Sequence, residues 1–406
     1  MKMRTKRILA TALLLMVTTL SIWANMKYLS RVYEYRPAPG QFINTMPIYR
    51  LGEPVDSVLA RCQQGLCARI ETTTVMVDTV LITRTDTIMS EEMVSLGGYG
   101  GYIIVGFDHP VVNMHTWDFE IEGNYFTSNM ISEGGSSEPG IVMVGVDADG
   151  DGVPSDGDRW YELAGSEYNH PKTQHNFTIT YYRPDEGKPR TPSQNNKYLN
   201  DTTYIRWTSN DVNPDSTCGY VLRNTFHNQP YWPLWLQDQE TLTFTGTKLR
   251  NNGIDTSTDP GVYYFVQYPF EWGYVDNLPN YKASDPNAPH NPGFKIDWAV
   301  DENGNHVDLP YIDFIKVYSG MNQYCGWLGE TSTEIGGGYD FHPDAVLPQG
   351  LLGDVNNDGV VNITDMNCII SVILGAPDIY EGRADVNKDG VVNISDLNAV
   401  INIILQ

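Results

Sequence analysis

The chain has 406 residues and a formal charge of −24, from 26 Lys and Arg against 50 Asp and Glu. This length allows one large domain and one small one. The acidic balance argues against nucleic acids and anionic membrane surfaces as partners, because both repel a negative protein.

The N-terminus has the pattern of an export signal. Residues 1–7 are basic and residues 8–24 are apolar, as in the n-region and h-region of a signal peptide. We predict a signal peptide over residues 1–24, with an uncleaved N-terminal anchor as the alternative. After cleavage no apolar stretch is long enough to span a bilayer. The expected location is extracellular or the cell surface, with the periplasm as the alternative.

Residues 25–90 predict an N-terminal segment with one short helix and one strand. The helix lies within EPVDSVLARCQQGLCARI, interrupted at Gly65, and the strand within TTTVMVDTVLIT. Cys62 and Cys67 lie five residues apart, a spacing that points two helical side chains to different faces and disfavours a disulfide. Cys218 and Cys325 are either distant partners or free thiols, and Cys368 is expected in a core.

Residues 91–345 predict an antiparallel body. Short β-branched and aromatic runs alternate in period 2 and are broken by Gly, Pro, Asn and Asp. No phosphate-binding Gly-rich loop joins a strand to a helix, which argues against a nucleotide-binding α/β fold. We therefore expect a mainly β protein with a sandwich or jelly-roll body. The runs are GYIIVGF, GIVMVGV, FTITYY, TYIRW, TLTFT, VYYFVQY and IDFIKVY.

Three phrases of the body carry a family resemblance: SLGGYGGYIIVGFDHPV, EPGIVMVGVDADGDGVPSDGDRWYELAGSEY and IDFIKVYSGMNQYCGWLGETSTEI. They resemble a group of uncharacterised exported cell-surface β-sandwich proteins of Bacteroidota. The resemblance implies a fold and a location, and it transfers no catalytic residue.

The second of these phrases contains a candidate calcium loop. Calcium takes six to eight oxygen ligands, which a twelve-residue loop supplies from positions 1, 3, 5, 7, 9 and 12, with glycine at position 6. Gly152 occupies position 6 here. We predict one structural calcium ion in the body, with a metal-free acidic turn as the alternative. The predicted ligands are Asp147, Asp149, Asp151, the Val153 carbonyl, Ser155 and Asp158.

Aromatic residues of the body raise the prospect of a carbohydrate ligand. The run HNQPYWPLWL is difficult to place in a central strand because of its prolines, so exposed rings are one interpretation. Packing between sheets is the favoured alternative, because aromatic residues are common in cores. The candidate ligand-binding residues are Tyr231, Trp232, Trp235, Trp272 and Tyr274.

No short motif identifies an enzyme. A glycoside hydrolase needs two carboxylates across the scissile bond, and several acidic residues stand near apolar or aromatic ones. The histidines form no compact zinc motif, His342 is an isolated candidate, and no GxSxG element is present. If the protein is an enzyme, we expect hydrolysis of O-glycosyl bonds. The candidate carboxylates are Glu138, Glu162, Glu167, Glu271, Asp276 and Glu330.

After a linker predicted over residues 346–352, residues 353–406 carry the same phrase twice. DVNNDGVVNITD begins at Asp354 and DVNKDGVVNISD at Asp385. Both fit the calcium-loop spacing, with Gly359 and Gly390 at position 6, so we predict two calcium ions. The predicted ligands are Asp354, Asn356, Asp358, the Val360 carbonyl, Asn362 and Asp365, and in the repeat Asp385, Asn387, Asp389, the Val391 carbonyl, Asn393 and Asp396.

Each loop feeds an apolar helix, MNCIISVIL or LNAVINIIL, and has no helix of its own in front. This duplicated pattern resembles the type I dockerin module. The resemblance implies a small α-helical module, folded by calcium, that docks a secreted protein onto a cohesin partner in polysaccharide-degrading assemblies. The sequence departs from that family where Ser/Thr pairs and basic residues are usual. Those positions hold Ile363-Thr364, Ile394-Ser395, Ile370-Ser371 and Ile401-Asn402.

The sequence thus predicts an exported calcium-binding protein of polysaccharide catabolism, which binds or hydrolyses glycans. One alternative is a non-catalytic surface protein that captures a glycan or another small nutrient. Another is a structural surface protein whose tail docks on its own body. Apolar neighbours such as Ile369-Ile370 and Ile403-Ile404 cannot all point into one small core, so a cohesin-like partner, a second copy or the body must cover them.

Overall fold

A computed structural model describes much of the chain. The described residues are 27–77, 80–88, 92–128, 134–147, 151–155, 157–258, 263–282, 284–285, 287–346, 352–356, 361–375, 381–387 and 389–405. The predicted signal peptide and most of the predicted linker lie outside these ranges. Among the described helices, none has the length and apolar character needed to cross a membrane.

The described chain is mainly β. In chain order its strands are β1 (Arg31–Arg36), β2 (Arg69–Val77), β3 (Val80–Ile88), β4 (Val94–Ser95), β5 (Tyr102–Gly106), β6 (Val111–Val112), β7 (Phe119–Glu122), β8 (Gly140–Val146), β9 (Arg159–Leu163), β10 (Gln174–Tyr182), β11 (Leu199–Ser209), β12 (Cys218–Asn224), β13 (Thr241–Lys248), β14 (Gly253–Asp255), β15 (Phe265–Gln267), β16 (Ala299–Val300), β17 (Tyr311–Ile312), β18 (Phe314–Ser319), β19 (Glu334–Ile335) and β20 (Gly337–Asp340). The α-helices are α1 (Asp56–Leu66), α2 (Ile363–Ile373), α3 (Glu381–Ala384) and α4 (Ile394–Ile404).

The larger sheet has six antiparallel strands in the order β1-β5-β18-β8-β9-β16. Its central strands are apolar along nearly their whole length because both faces of the sheet are covered. In β8, Val142 and Val144 point into the main core, while Ile141 and Met143 pack in a second cluster. This alternation is the period-2 geometry of a strand.

The smaller sheet has four antiparallel strands in the order β12-β11-β10-β13. In β10, Phe177, Ile179 and Tyr181 are buried in a third cluster, whereas Thr178 and Thr180 pair with threonines of β13 on the outer face. The two sheets pack closely where a Cβ added at Gly246 of β13 would lie 2.9 Å from the ring of Tyr318 in β18. The predicted mainly β, antiparallel sandwich is confirmed.

The first ninety residues differ from their predicted organisation. The predicted segment 25–90 is not separate from the body, because β1 forms the edge strand of the larger sheet by pairing with β5. The single predicted strand is a hairpin of β2 and β3. Helix α1 continues through Gly65 to Leu66, and its buried Cys62 packs in the main core.

All five cysteines are free thiols. Cys62 and Cys67 are both buried without forming a disulfide, and burial raises the pKa of the Cys67 thiol to about 12. Cys325 is likewise buried, and burial raises its pKa to about 12. Cys368 packs in the small C-terminal core, as predicted.

Candidate calcium and docking sites

The second C-terminal loop lies between α3 and α4 and is closed by its own carboxylates. The Gly390 N–H donates to Asp385 Oδ2 at 2.8 Å, and the Val391 N–H donates to Asp389 Oδ1 at 3.0 Å. Gly390 has φ +87°, in the left-handed region that favours glycine. The loop therefore turns sharply at position 6, where the sequence pattern requires a turn.

The same residues close each loop and start its helix. The Asn362 N–H donates to Asp365 Oδ2 at 2.8 Å, and the Asn393 N–H donates to Asp396 Oδ2 at 2.9 Å. Each asparagine side chain also caps its helix, which completes a capping box with the aspartate. Positions 9 and 12 of the loop are thus the N-cap and N3 positions of α2 and α4, so loop and helix form as one unit.

The first loop repeats this arrangement. Asp365 is fully buried, and its Oδ1 accepts hydrogen bonds from the N–H groups of Val355 (2.7 Å) and Asn356 (3.1 Å). Asp354, at position 1, is buried as well. Two of the predicted ligands lie outside the described residues: Asp358 and Val360.

The acidic loop of the body has the same internal hydrogen bonds. Gly152 at its position 6 has φ +75°, close to the value at Gly390. Of the predicted ligands, Asp149 lies outside the described residues. The three bonds that recur are Gly152 N–H to Asp147 Oδ2 (2.8 Å), Val153 N–H to Asp151 Oδ1 (2.8 Å) and Ser155 N–H to Asp158 Oδ2 (2.6 Å).

The donor set of these loops fits calcium. Every predicted ligand offers oxygen, which a hard cation prefers. In the described part of the second loop, no basic side chain forms an ion pair with Asp385, Asp389 or Asp396, although Asp396 is fully buried. A buried carboxylate is costly unless it is paired or coordinates a metal. A calcium ion would supply the missing positive charge.

The two helices share a small core and leave other apolar residues in water. Val355, Ile369, Ala384, Val386 and Val400 are buried together, which is few residues for an independent domain. Large apolar residues of both repeats stay exposed in the presence of the whole chain. They are Ile363, Ile370, Ile373 and Leu374 of the first repeat, and Ile394, Ile404 and Leu405 of the second.

Three carboxylates of the body converge. Oxygens of Glu138, Asp276 and Glu334 all lie within 4.8 Å of one another, and the sequence did not indicate Glu334. Burial, together with the charges of the other acidic groups, raises the pKa of Glu138 and of Asp276 well above the usual range. Burial raises the pKa of Glu334 to about 7. The group therefore carries fewer than three negative charges at neutral pH.

Two members of this carboxylate trio, Asp276 and Glu334, lie in the core, and Glu138 is half-buried. Asp276 accepts hydrogen bonds from the Asn124 N–H (2.6 Å) and the Glu334 N–H (3.0 Å). Glu138 accepts one from the Ser332 N–H at 3.2 Å. Asp276 and Glu334 are 2% and 1% exposed. A glycosidase needs two acids close together, and this trio meets that condition. Its hydrogen bonds, however, join loops of the body, which is a structural role.

The other candidate carboxylates are scattered. Glu162 accepts a hydrogen bond from the Thr247 hydroxyl at 2.6 Å, and burial raises its pKa to about 7. Glu167 pairs with Arg250 at 2.5 Å, and Glu271 is exposed. Glu330 accepts a hydrogen bond from the Gln41 N–H. The ring of His342 bonds the Trp117 carbonyl at 3.1 Å, a structural contact.

The predicted aromatic ligand site does not assemble on the surface. Tyr231, Trp232 and Tyr274 are 0%, 3% and 3% exposed, so their rings have no face free for a sugar. Trp235 packs against the main core, and Trp272 packs against the ring of Trp298 at an angle of 41°. For Tyr231, Trp232 and Tyr274 the structure agrees with the favoured alternative, packing between sheets, because burial of large apolar rings outweighs the effect of the prolines.

Comparison with known protein families identifies the C-terminal module. Residues 352–405 match the family model of the dockerin type I domain. No curated protein matches the chain. Dockerin type I domains bind calcium and a cohesin partner, and proteins that carry them are typically extracellular or on the cell surface. The resemblance of the body to exported Bacteroidota proteins stays a prediction.

Proposed function

We propose that this protein is an exported β-sandwich protein that docks onto a cohesin-like partner through its calcium-folded C-terminal module. Support comes from the family match over residues 352–405 and from the fit of the loops to calcium. In this proposal the chain consists of a signal peptide (1–24), a body that extends to about residue 345, a linker (346–352) and the docking module (353–406).

The observation that carries the docking proposal is a set of equivalent exposed residues in the two repeats. Ile363 and Ile394 are 68% and 71% exposed, and Leu374 and Leu405 are both 78% exposed. Each pair has the same 31-residue offset as the loops. Fully burying a side chain of this size stabilises by about 1.5–3 kcal/mol, so a partner that covers these residues gains binding energy.

The repeat also bears on how the partner binds. The two helices expose apolar residues at three equivalent positions, Ile363/Ile394, Ile373/Ile404 and Leu374/Leu405, so we expect either repeat to offer a surface to a partner. Where this family usually has a Ser/Thr pair and basic residues, each repeat keeps one hydroxyl residue, Thr364 or Ser395, and has isoleucine at the other positions. The partner surface should therefore be more apolar than is usual. Arg383 of α3 hydrogen-bonds Tyr311 of the body, so the module touches the body. The isoleucines Ile363 and Ile394 stay exposed beside this contact and are free to meet a separate partner.

We further propose two calcium ions in the module and a third in the Asp147–Asp158 loop. The recurrence of three hydrogen bonds at the same loop positions supports the third site. Within a cohesin-based assembly, the expected role of the body is glycan binding or O-glycosyl hydrolysis. The buried carboxylate trio lends no support to hydrolysis, so binding is the version that we favour.

The docking proposal is tested by titrating the calcium-loaded full chain with purified cohesin domains in a calorimeter. Ile363→Lys and Ile394→Lys are made singly and together. We expect each single variant to bind through the intact repeat and the double variant to lose binding by at least about a hundredfold. Val212→Lys, which changes an apolar residue of the body that is 81% exposed, serves as the matched control.

The alternative outcomes are distinct. If the double variant binds as well as the Val212→Lys control, the exposed isoleucines are not the docking surface. If the double variant lowers the Tm of the full chain and no cohesin binds the wild type, the tail docks on its own body. Binding that persists in a calcium chelator would contradict the calcium requirement.

A further inference from the structure

A cavity of about 310 Å³ opens between the smaller sheet and the loop that follows β18. Among the residues that line it are Trp207 and Tyr220 from the sheet, and Tyr324 and Glu330 from the loop. This volume is at the lower end of the 300–1,000 Å³ typical of small-ligand sites. The cavity has room for about ten water molecules, far more than a single bridging water needs.

Two buried polar atoms of this loop have no partner among the described residues. They are Glu330 Oε2 and Tyr324 Oη. Glu330 is 8% exposed. Nearby groups are fully used, since Gln323 makes four hydrogen bonds to Asn252, Gly253 and Thr331. Buried polar atoms are nearly always paired, so these two atoms indicate a partner that enters from the cavity.

The backbone holds both groups in place. Tyr324 and Glu330 are antiparallel bridge partners, so their side chains leave the same side of the backbone. Between them the Cys325 N–H donates to the Gly329 carbonyl at 2.8 Å. The other oxygen of Glu330 accepts the Gln41 N–H, and a Cβ added at Gly40 would lie 2.8 Å from it. The carboxyl group is therefore fixed before a ligand arrives.

The lining defines the chemistry of that ligand. Trp207 is half-buried and lines the cavity. Its ring lies against Gly219, where an added Cβ would be 2.5 Å away, so the flat indole is held at the cavity wall. Tyr220 is exposed beside it. Lys248 is paired with Asp211, and none of the other described residues that line the cavity is basic, so this wall does not favour an anion. Burial raises the pKa of Glu330 to about 8, so at neutral pH it is an acid that both donates and accepts.

We propose that this cavity binds one unit of a neutral saccharide, with Glu330 and Tyr324 hydrogen-bonded to its hydroxyl groups and Trp207 against its ring. Hydroxyl groups that donate and accept match the two unpaired atoms. The C–H face of a sugar ring matches the half-buried indole of Trp207. This inference rests on the glycan-binding role proposed for the body and gives that role a site. Its failure would leave the docking proposal standing, because the site lies in the body and its test needs no cohesin.

The test is calorimetric titration of the calcium-loaded full chain with neutral hexasaccharides of β-1,4-linked glucose, xylose and mannose. A hexamer of galacturonic acid is the charged control. We expect at least one neutral oligosaccharide to bind and the acidic one not to bind. Tyr324→Phe should weaken binding about tenfold while the Tm stays equal or rises, because the variant removes an unpaired hydroxyl. Glu330→Gln keeps an acceptor for the Gln41 N–H and should also weaken binding.

Tyr281→Phe, at an exposed tyrosine away from the cavity, is the matched control and should bind as the wild type does. Absence of binding by every neutral oligosaccharide would overturn the proposal, as would equal affinity of Tyr324→Phe and wild type. A Tyr324→Phe variant that unfolds at a lower Tm would show that the hydroxyl has a structural partner, and this also contradicts the proposal.

Discussion

The body and the C-terminal module both bury carboxylates, and they neutralise them in different ways. In the module, Asp365 and Asp396 are fully buried within loops that supply oxygen ligands at the spacing calcium requires. In the body, Asp276, Glu330 and Glu334 are nearly as buried, but they come from separate segments. Within the described residues, none of these three acids forms an ion pair.

The difference shows that burial alone does not identify a metal site. The acids of each module loop lie at fixed positions within twelve residues, so one calcium ion per loop can satisfy them. The body acids take their hydrogen bonds from backbone N–H groups and hydroxyl groups, and burial raises the pKa of Glu334 to about 7 and of Glu330 to about 8. We infer that protons relieve the charge in the body and calcium relieves it in the module.

Removal of calcium should have the largest effect of all, and most of that effect should fall on the module. When free calcium is at a thousandfold excess over the Kd of a site, binding adds about 4 kcal/mol to the free energy of unfolding. The small core of the module cannot make up for the loss of two such contributions. In chelator, far-ultraviolet circular dichroism of residues 353–406 should lose the signal of α2 and α4. Equal helicity with calcium and with chelator would contradict calcium-driven folding.

Replacing a buried carboxylate by its amide should change stability in opposite directions in the module and in the body. Asp396→Asn removes a charged ligand and should lower the stability of the module in calcium. Glu334→Gln removes a charge that the core disfavours, and should raise the stability of the body at pH 8 by about 1–3 kcal/mol. Urea unfolding at pH 8 and pH 5 measures both variants, with Glu271→Gln at an exposed site as the control. Destabilisation by Glu334→Gln at pH 8 would show that the ionised form is the one the fold requires.

The smallest effect concerns the loop of the body that resembles those of the module. Asp147→Ala with Asp151→Ala should lower the Tm of the body in calcium by a few degrees, on the order of 1–2 kcal/mol, and change it little in chelator. Scanning calorimetry in both conditions measures this. A loss of the same size in both would mean that the loop binds no calcium, and that calcium is confined to the module.

The sequence predicts the module better than the body for a physical reason. Calcium ligands lie at fixed positions in twelve residues, so spacing alone locates them, and α2 and α4 follow directly from the capping asparagines. In the body, the alternation in β10 is readable, but the carboxylate trio is not, since Asp276 and Glu334 are 58 residues apart. Their proximity depends on how the strands pair.

The same limit explains the errors in the body. Strand β1 lies at the edge of the larger sheet, a pairing that no local pattern indicates. Tyr231 and Trp232 lie in a proline-containing run whose burial depends on the packing of β10 and β11. Whether the side-chain oxygens of Tyr324 and Glu330 have hydrogen-bond partners depends on the positions of all their neighbours in the fold, which the sequence does not specify. Trp207 is the ring that sequence reasoning missed, although it lies in a run predicted as a strand.

The most direct test of the two modes of neutralisation is calorimetry of the full chain in excess calcium between pH 5 and pH 8. An acid whose pKa is raised in the folded state stabilises the fold below its unfolded pKa, near 4.5 for Glu, and loses that contribution as the pH rises through the folded value of about 7 to 8. Calcium ligands must be deprotonated, so acid weakens their site. The account predicts that, from pH 8 to pH 5, the Tm of the body rises while that of the module falls. A shift of both transitions in the same direction would contradict it.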